Sequence, residues 1–334
     1  MTLKKIVYLI TLLIMTASSL VGCGGNKDNG AKKEELKIAM VTSVGGVTDG
    51  SFNQSAWEGL QKSEKDLGIK ASYIESKQEA DYVTNLEQAV DNNNNDLILA
   101  TGFPMQQALL EAAKNYPEQK FAIVDVDYGE ETPDNVTCIS FNEEQSGYVV
   151  GLVAGKMTST NKVGFVGGMD NVVIKKFQVG YEAGVKEANS NAKVLVQYVN
   201  SFVDQAKGKS IANQMYNNKA DILFACAGDS GLGVLECAKE TGKYAIGVDR
   251  DQNNIAPDNI LTSAMKKVNE GVYTVVENLK DDKLDGGKTL VFGLKEEGIG
   301  LAPSTDKNVQ KDVIDYVNSK IEKIISGEIV VPNK

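Results

Sequence analysis

The side chains able to do chemistry fall in short clusters, each just past an apolar run or at the start of a helical pattern. They are Asp49, Ser51, Phe52, Asn53 and Gln54; Gly102 and Phe103; Asp125 and Asp127; Gly168, Met169 and Asp170; Asn200, Ser201 and Phe202; Gly228 to Gly231; and Asp249, Arg250 and Asp251. These groups accept hydrogen bonds, donate them through amides, present aromatic faces or bring backbone close. They suit the holding of a small molecule better than bond-breaking. The chain of 334 residues has no histidine, which removes Ser-His-Asp and Cys-His catalysis and the commonest metal ligand together. Arg250 is its only arginine, so clamping of phosphate by arginine clusters is unavailable as well. An enzyme would be left with carboxylates, lysine or a cofactor, and no metal and no cofactor is expected.

Two apparent signals carry less. Gly228, Gly231 and Gly233 form GxxGxG, but the spacing fits neither a Walker A loop nor the dinucleotide fingerprint, and no lysine follows where a phosphate loop needs one. It reads as a turn that brings backbone amides near a ligand. Beyond Cys23 there are Cys138, Cys226 and Cys237, an odd number, and two lie in apolar strand-like runs. They read as small buried hydrophobes rather than a disulfide framework, metal site or nucleophile.

The elements that position the clusters alternate strand and helix. Strands are predicted near residues 37–42, 70–75, 97–100 and 121–124, with helices near 52–67, 81–92 and 104–115. The second half repeats the scheme, with strands near 163–166, 194–198, 222–225 and 244–248 and helices near 145–157, 174–188, 204–217 and 231–240. Two βαβ runs predict two parallel sheets, each wrapped by helices. In open α/β sheets ligands bind beyond the strands' carboxyl ends, where every cluster lies. If the two sheets face one another across a hinge, the clusters line one cleft, and the fold class is α/β with two Rossmann-like lobes forming a clamp.

The amino terminus stands apart. Lys4 and Lys5 precede an apolar core from Ile6 to Met15 that is too short for a comfortable membrane span, and Leu20-Val21-Gly22-Cys23 follows. This looks like a bacterial lipobox, with residues 1–22 a signal peptide, Cys23 lipidated, and 23–35 a flexible tether to the extracytoplasmic face of the cell membrane. The body divides into an N-terminal lobe over 36–126, completed by about 266–285, and a C-terminal lobe over 127–265, completed by about 286–334. A formal charge of -10 disfavours nucleic acid and phosphorylated ligands as partners.

Together the lipobox, DGSFNQSAWEG (49–59), FAIVDVD (121–127), NKVGFVGGMD (161–170), GVDRDQ (247–252) and LTSAMKK (261–267) resemble the basic membrane protein family. Its members are lipid-anchored substrate-binding proteins of ABC transporters, of the purine-nucleoside receptor type. The resemblance spans the body in order. It implies a type I periplasmic-binding-protein clamp, a purine nucleoside as ligand (inosine, guanosine or adenosine), and permease and ATPase subunits as partners of a monomer. Phe52 and Phe202 resemble the rings that sandwich the base, and Asn53 and Asp125 the groups on its edge. Asp249 and Lys266 resemble those that hold the ribose hydroxyls, with Gly228 offering backbone nearby, while Asp49 stands at the same strand end as Phe52 and Asn53. The turn AGDSG (227–231) departs from the family's GGTG-like form, so Asp229 and Ser230 leave the sugar end open.

Each residue also has a structural use. Phe52 could staple the helix start, Asp49 or Ser51 could cap it, Phe202 could belong to the core, Asp249 could cap a turn and Lys266 could sit at the surface. Other functions fit the same pattern too: a clamp for a sugar or another small solute, and an enzyme such as a nucleoside hydrolase using Asp125, Asp127 or Asp249. Because those aspartates are divided between the halves, a binding protein is the expected reading.

Overall fold

The computed structural model describes residues 35–91 and 94–334. The predicted signal peptide, Cys23 and nearly all of the tether lie outside the described residues. The first half contains β1 (Lys37–Thr42), α1 (Phe52–Leu67), β2 (Lys70–Glu75), α2 (Tyr82–Asp91), β3 (Leu97–Thr101), α3 (Gln106–Asn115), β4 (Phe121–Val124) and β5 (Val136–Phe141). The second contains α4 (Glu143–Met157), β6 (Lys162–Gly167), α5 (Val172–Ala188), β7 (Lys193–Tyr198), α6 (Gln205–Asn217), β8 (Ile222–Cys226), α7 (Asp229–Thr241), β9 (Tyr244–Asp249) and β10 (Ile260–Lys266). The chain ends with α8 (Val268–Lys280), β11 (Lys288–Phe292), β12 (Ile299–Leu301) and α9 (Lys311–Ile325).

The central strands are apolar on both faces, as helix-covered parallel strands must be: β3, β4 and β8 are buried throughout. They form two six-stranded sheets, ordered β11-β5-β4-β3-β1-β2 and β12-β10-β9-β8-β6-β7. The first is parallel throughout, and in the second β12 runs antiparallel to β10. Shifting the strand numbers by five superposes β1–β5 on β6–β10, so in each sheet the strand order reverses at one switch point, β1/β3 or β6/β8.

Three findings differ from the sequence reading. β5 lies in the first sheet although it falls inside the stretch assigned to the second lobe from residue 127. It is reached from β4 through a loop rather than a helix, with the Asn135 side chain pinning the carbonyls of Ala113, Tyr116 and Gln119. β11, expected with the second lobe, also joins the first sheet, beside β5. The short edge strand β12 is antiparallel where two wholly parallel sheets were expected.

The chain therefore passes between the sheets after β5, after β10 and after β11. Although α8 follows a strand of the second sheet, it packs on α1, where Asn269 N donates to Ser55 Oγ (3.3 Å) and Lys62 Nζ to Glu270 (3.0 Å). In the second lobe α4 and α5 meet along small residues. A Cβ on Gly180 would come within 1.9 Å of the Glu144 carbonyl oxygen, so only glycine permits that approach. This contact sets Phe177 and Lys176 of α5 against the start of α4.

Candidate functional site

At the first lobe's switch point β1 runs into the turn that starts α1. Asp49 Oδ1 accepts from Ser51 N (2.9 Å) and Gln54 N (3.1 Å), and Oδ2 accepts from Asn53 N (2.9 Å). Asp49 thus satisfies three donors that a helix start leaves open and acts as its cap. Burial raises its pKa while those three bonds oppose the rise. The cap holds the first turn of α1 so that Phe52 and Asn53 face the cavity.

Asn53 is oriented by its neighbours. Ser43 N donates to Thr101 Oγ1 (3.2 Å), which commits the threonine hydroxyl proton to Asn53 Oδ1 (2.5 Å), and Ser43 Oγ donates to the same oxygen (3.2 Å). The amide Nδ2 is left as a donor at the cavity wall.

Asp125 and Asp249 stand at the ends of β4 and β9, equivalent positions in the two sheets, and both have φ +65°. Aspartate tolerates that left-handed conformation better than most residues. Between them lies Lys266, at the end of β10 and 2% exposed, so it is not a surface lysine. Its Nζ donates to Asp125 Oδ2 (2.5 Å), lies 3.7 Å from Glu143 Oε1 and sits 4.9 Å from the centre of the Phe52 ring. Glu143 Oε2 in turn meets Lys176 Nζ at 3.3 Å. Asp125 Oδ1 is buried without a hydrogen-bond partner.

Burial drives the electrostatics of this cluster. It raises Glu143 to about 7, against the opposing pull of Lys266 and Lys176, and raises Asp249 to about 6, against Lys266 and the Ser51 hydroxyl. For Lys266 burial acts downward, but Asp125, Glu143 and Asp249 outweigh it and hold the ammonium above the ordinary lysine value. Three carboxylates thus share one fully buried cation.

The second lobe supplies the facing wall. The Phe202 ring lies across Gly168, where an added Cβ would fall 2.3 Å from Cε1. Its backbone is tied to α7 by Ser230 N, which donates to the Phe202 carbonyl at 3.0 Å. Ser230 itself is buried and turned inward, donating to Ser201 O (3.0 Å) and accepting from Asp204 N (2.8 Å). Of the departing turn, Asp229 is therefore the side chain that reaches the cavity. Asp251, from the cluster that follows β9, is turned to Ser304, accepting from its N and Oγ (3.1 and 2.6 Å). The two lobes touch through Ser51 Oγ donating to Asp249, Gln252 Nε2 to Gly50 O (3.1 Å), and Arg250 Nη2 to Glu58 Oε1 (2.7 Å).

All eight residues named from the sequence, Asp49, Phe52, Asn53, Asp125, Phe202, Gly228, Asp249 and Lys266, line one cavity of about 250 Å³. Ser43, Phe177 and Met169 also line it without having been assigned roles, and Glu143 lies directly behind Lys266. Glu143 and Glu144 look like ordinary acidic residues complementing a helix start. The available signal was that the rest of that helix is almost wholly apolar, which places its first turn inside the protein. Among the described residues no group of three or more His, Cys, Asp or Glu side chains is arranged to hold a metal ion. Cys138, Cys226 and Cys237 are free and buried.

Two α/β lobes joined by three chain passages, with polar and aromatic groups from both meeting at the strand ends, define a solute-binding clamp of the type I class. Residues 36–334 match the family model described as ABC transporter substrate-binding protein PnrA-like, and the chain belongs to that family of binding proteins, not enzymes. It is 37% identical over 355 residues, 99% of each chain, to the "ABC transporter nucleoside-binding protein BmpA" of Lactococcus lactis. It is 39% identical over 360 residues, 99% of this chain and 100% of the relative, to the "CD4+ T-cell-stimulating antigen" of Listeria monocytogenes. Among solved structures, a solute-binding protein of an Aeropyrum pernix ABC transporter system superposes with a TM-score of 0.82 at 28% identity, covering 90% of this chain and 94% of that one. Among the described residues no helix is long and apolar enough to cross a membrane.

Proposed function

We propose that this substrate-binding protein captures purine nucleosides (inosine, guanosine or adenosine) between its lobes and delivers them to a permease driven by an ATPase. In this reading it works as a monomer, held at the extracytoplasmic face of the membrane by a lipid on Cys23. The observation that carries the reading is Asp125 Oδ1, a buried acceptor without a partner in a cavity walled by the Phe52 and Phe202 rings. Leaving a buried carboxylate oxygen unsatisfied costs on the order of 1–3 kcal/mol or more, which a ligand N–H would recover. Asn53 Nδ2 adds a donor on the same lobe, so the pair suits a base edge carrying both donors and acceptors. Flat rings suit a purine face, at roughly 1–3 kcal/mol per stacked base. Asp249 is the acceptor for a ribose diol, Lys266 the donor to its oxygens and Gly228 the nearby backbone. Asp49 serves by holding the α1 start.

The name of the Lactococcus relative supports nucleoside as the ligand class. The charge of the site supports an uncharged ligand, since Lys266 is already paired and a phosphate would meet Asp229 and Asp249. Closure over the base makes the closed surface the form that the permease reads.

A thermal-shift and calorimetry panel on residues 24–334 tests this, with inosine, guanosine, adenosine, cytidine, AMP, adenine, ribose, galactose and glucose. A ligand at about 100 times its Kd adds about 2.7 kcal/mol of stability. Purine nucleosides should stabilise, AMP and sugars should not, and Phe52→Ala or Phe202→Ala should reduce the effect by about 1–3 kcal/mol while leaving the fold. Stabilisation by a sugar alone would overturn the nucleoside assignment and leave the clamp.

A further inference from the structure

Glu143 is not part of the cavity wall, yet it is the most deeply buried carboxylate near it, 1% exposed. It opens α4, the helix that carries the chain from the first sheet to the second. Its two oxygens are divided between cations of different kinds. Oε1 faces Lys266 from β10, a buried part of the cavity wall, while Oε2 faces Lys176 from α5, whose side chain is 28% exposed. Across Lys266 stand Asp125 from the end of β4 and Asp249 from the end of β9, and Cys226 of β8 is close enough to feel the same charges. On its own helix Glu144 is the neighbouring acid.

We propose that Glu143 is a positioning residue of the binding site: from behind the cavity it steadies Lys266 against Asp125, and it takes up a proton when an uncharged ligand closes over the cluster.

The reason is charge balance. Three carboxylates around one enclosed ammonium leave excess negative charge, which is tolerable while water reaches the cavity. A neutral ligand displaces that water and brings no cation, so ionised carboxylates become more costly to bury. Asp125 accepts from Lys266 through Oδ2 and has Oδ1 free for the ligand, and Asp249 accepts from the Ser51 hydroxyl at the lobe contact, so each has a partner to serve. Glu143 is the member that has no ligand to serve. Its elevated pKa, about 7, leaves it poised to accept a proton near neutrality. The sign follows: binding raises the proton affinity of Glu143, so ligand affinity falls as pH rises through its range.

The inference rests on the nucleoside reading, so the test separates the two. Calorimetry with guanosine, in buffers of different ionisation enthalpy at pH 7, should give uptake of roughly 0.3–0.5 proton per ligand for the wild-type protein. Its Kd should weaken by about fivefold from pH 6.5 to 8. Glu143→Gln should bind with no proton uptake and with a Kd flat across that interval. Lys176→Met, which removes the outer cation without touching the cavity, should move the pH midpoint upward. Wild-type binding without proton uptake, or an unchanged slope in Glu143→Gln, overturns the proposal. Absence of any guanosine binding overturns the nucleoside reading instead. Glu143 is then read without ligand, because its proton contributes stability that is fully present below the ordinary 4.5 and lost as pH rises through about 7. The advantage of Glu143→Gln over wild type in thermal stability must grow across that window, and a constant difference overturns the charge role.

Discussion

Gly168 offers a sharp test because it acts on the site through another residue. Its φ is not in the left-handed region, so alanine fits the backbone, but the alanine methyl would lie 2.3 Å from Phe202 Cε1 and 2.4 Å from Cδ1. Carbon atoms pack at about 3.5–4.0 Å, so the ring must retreat by more than 1 Å. The Phe202 backbone cannot easily follow, since its carbonyl is held by Ser230 N and Gly228 sits beneath its Cβ. Gly168→Ala should therefore swing the ring out of the cavity and forfeit one stacking face. That is worth about 1–3 kcal/mol, or roughly 5- to 150-fold in Kd. Titration calorimetry with inosine on Gly168→Ala, Phe202→Ala and the double variant reads the effect. If the glycine works through the ring, the double variant binds like Phe202→Ala alone, because one interaction cannot be lost twice. Wild-type affinity in Gly168→Ala, or fully additive losses in the double variant, would refute the reasoning.

Three further outcomes follow from the same geometry. Lys266→Met leaves Asp125 and Glu143 buried without their shared cation and should cost about 3–5 kcal/mol in denaturant unfolding, whereas a loss below about 1 kcal/mol would mean the cluster neutralises itself. Asp249 has a raised pKa of about 6 against an ordinary 3.8, so its proton contributes stability fully present below 3.8 and lost as pH rises through about 6. Asp249→Asn should accordingly gain on wild type across that window in thermal melts, and a pH-independent difference counts against it. Arg250→Ala removes an inter-lobe ion pair whose side chains are 31% and 39% exposed, so unfolding stability should change by less than about 1 kcal/mol, with salt masking the change; a larger loss would show that the latch is better shielded than its exposure implies.

Much of this architecture is legible in sequence because its signals are local. An apolar run with flanking turn residues is a strand wherever it is buried, and α1, β1, β2 and β4 fall where periodicity puts them. The candidate site residues are legible for the same reason: in a parallel α/β sheet the strand end is the ligand end, so Asp125, Phe202, Gly228 and Asp249 are marked by position along the chain alone. The absence of histidine and the single arginine restrict the chemistry before any folding is considered.

Which elements share a sheet is a different kind of fact. β5 and β11 join the first sheet because their backbone groups find partners there, and neither composition nor period carries that pairing across a gap of about 150 residues. The character of Asp49 was also settled only in three dimensions, where its carboxylate meets three amides of a helix start. Glu143 is the clearest case. In sequence it is one of two acidic residues opening a helix, yet the close glycine contacts of α4 with α5 and the end of β10 bring two lysines to it from opposite sides. The sequence determines which groups stand at strand ends, since that depends on neighbours along the chain. Which charges end up enclosed together depends on residues more than a hundred positions apart, and only the packed structure decides it.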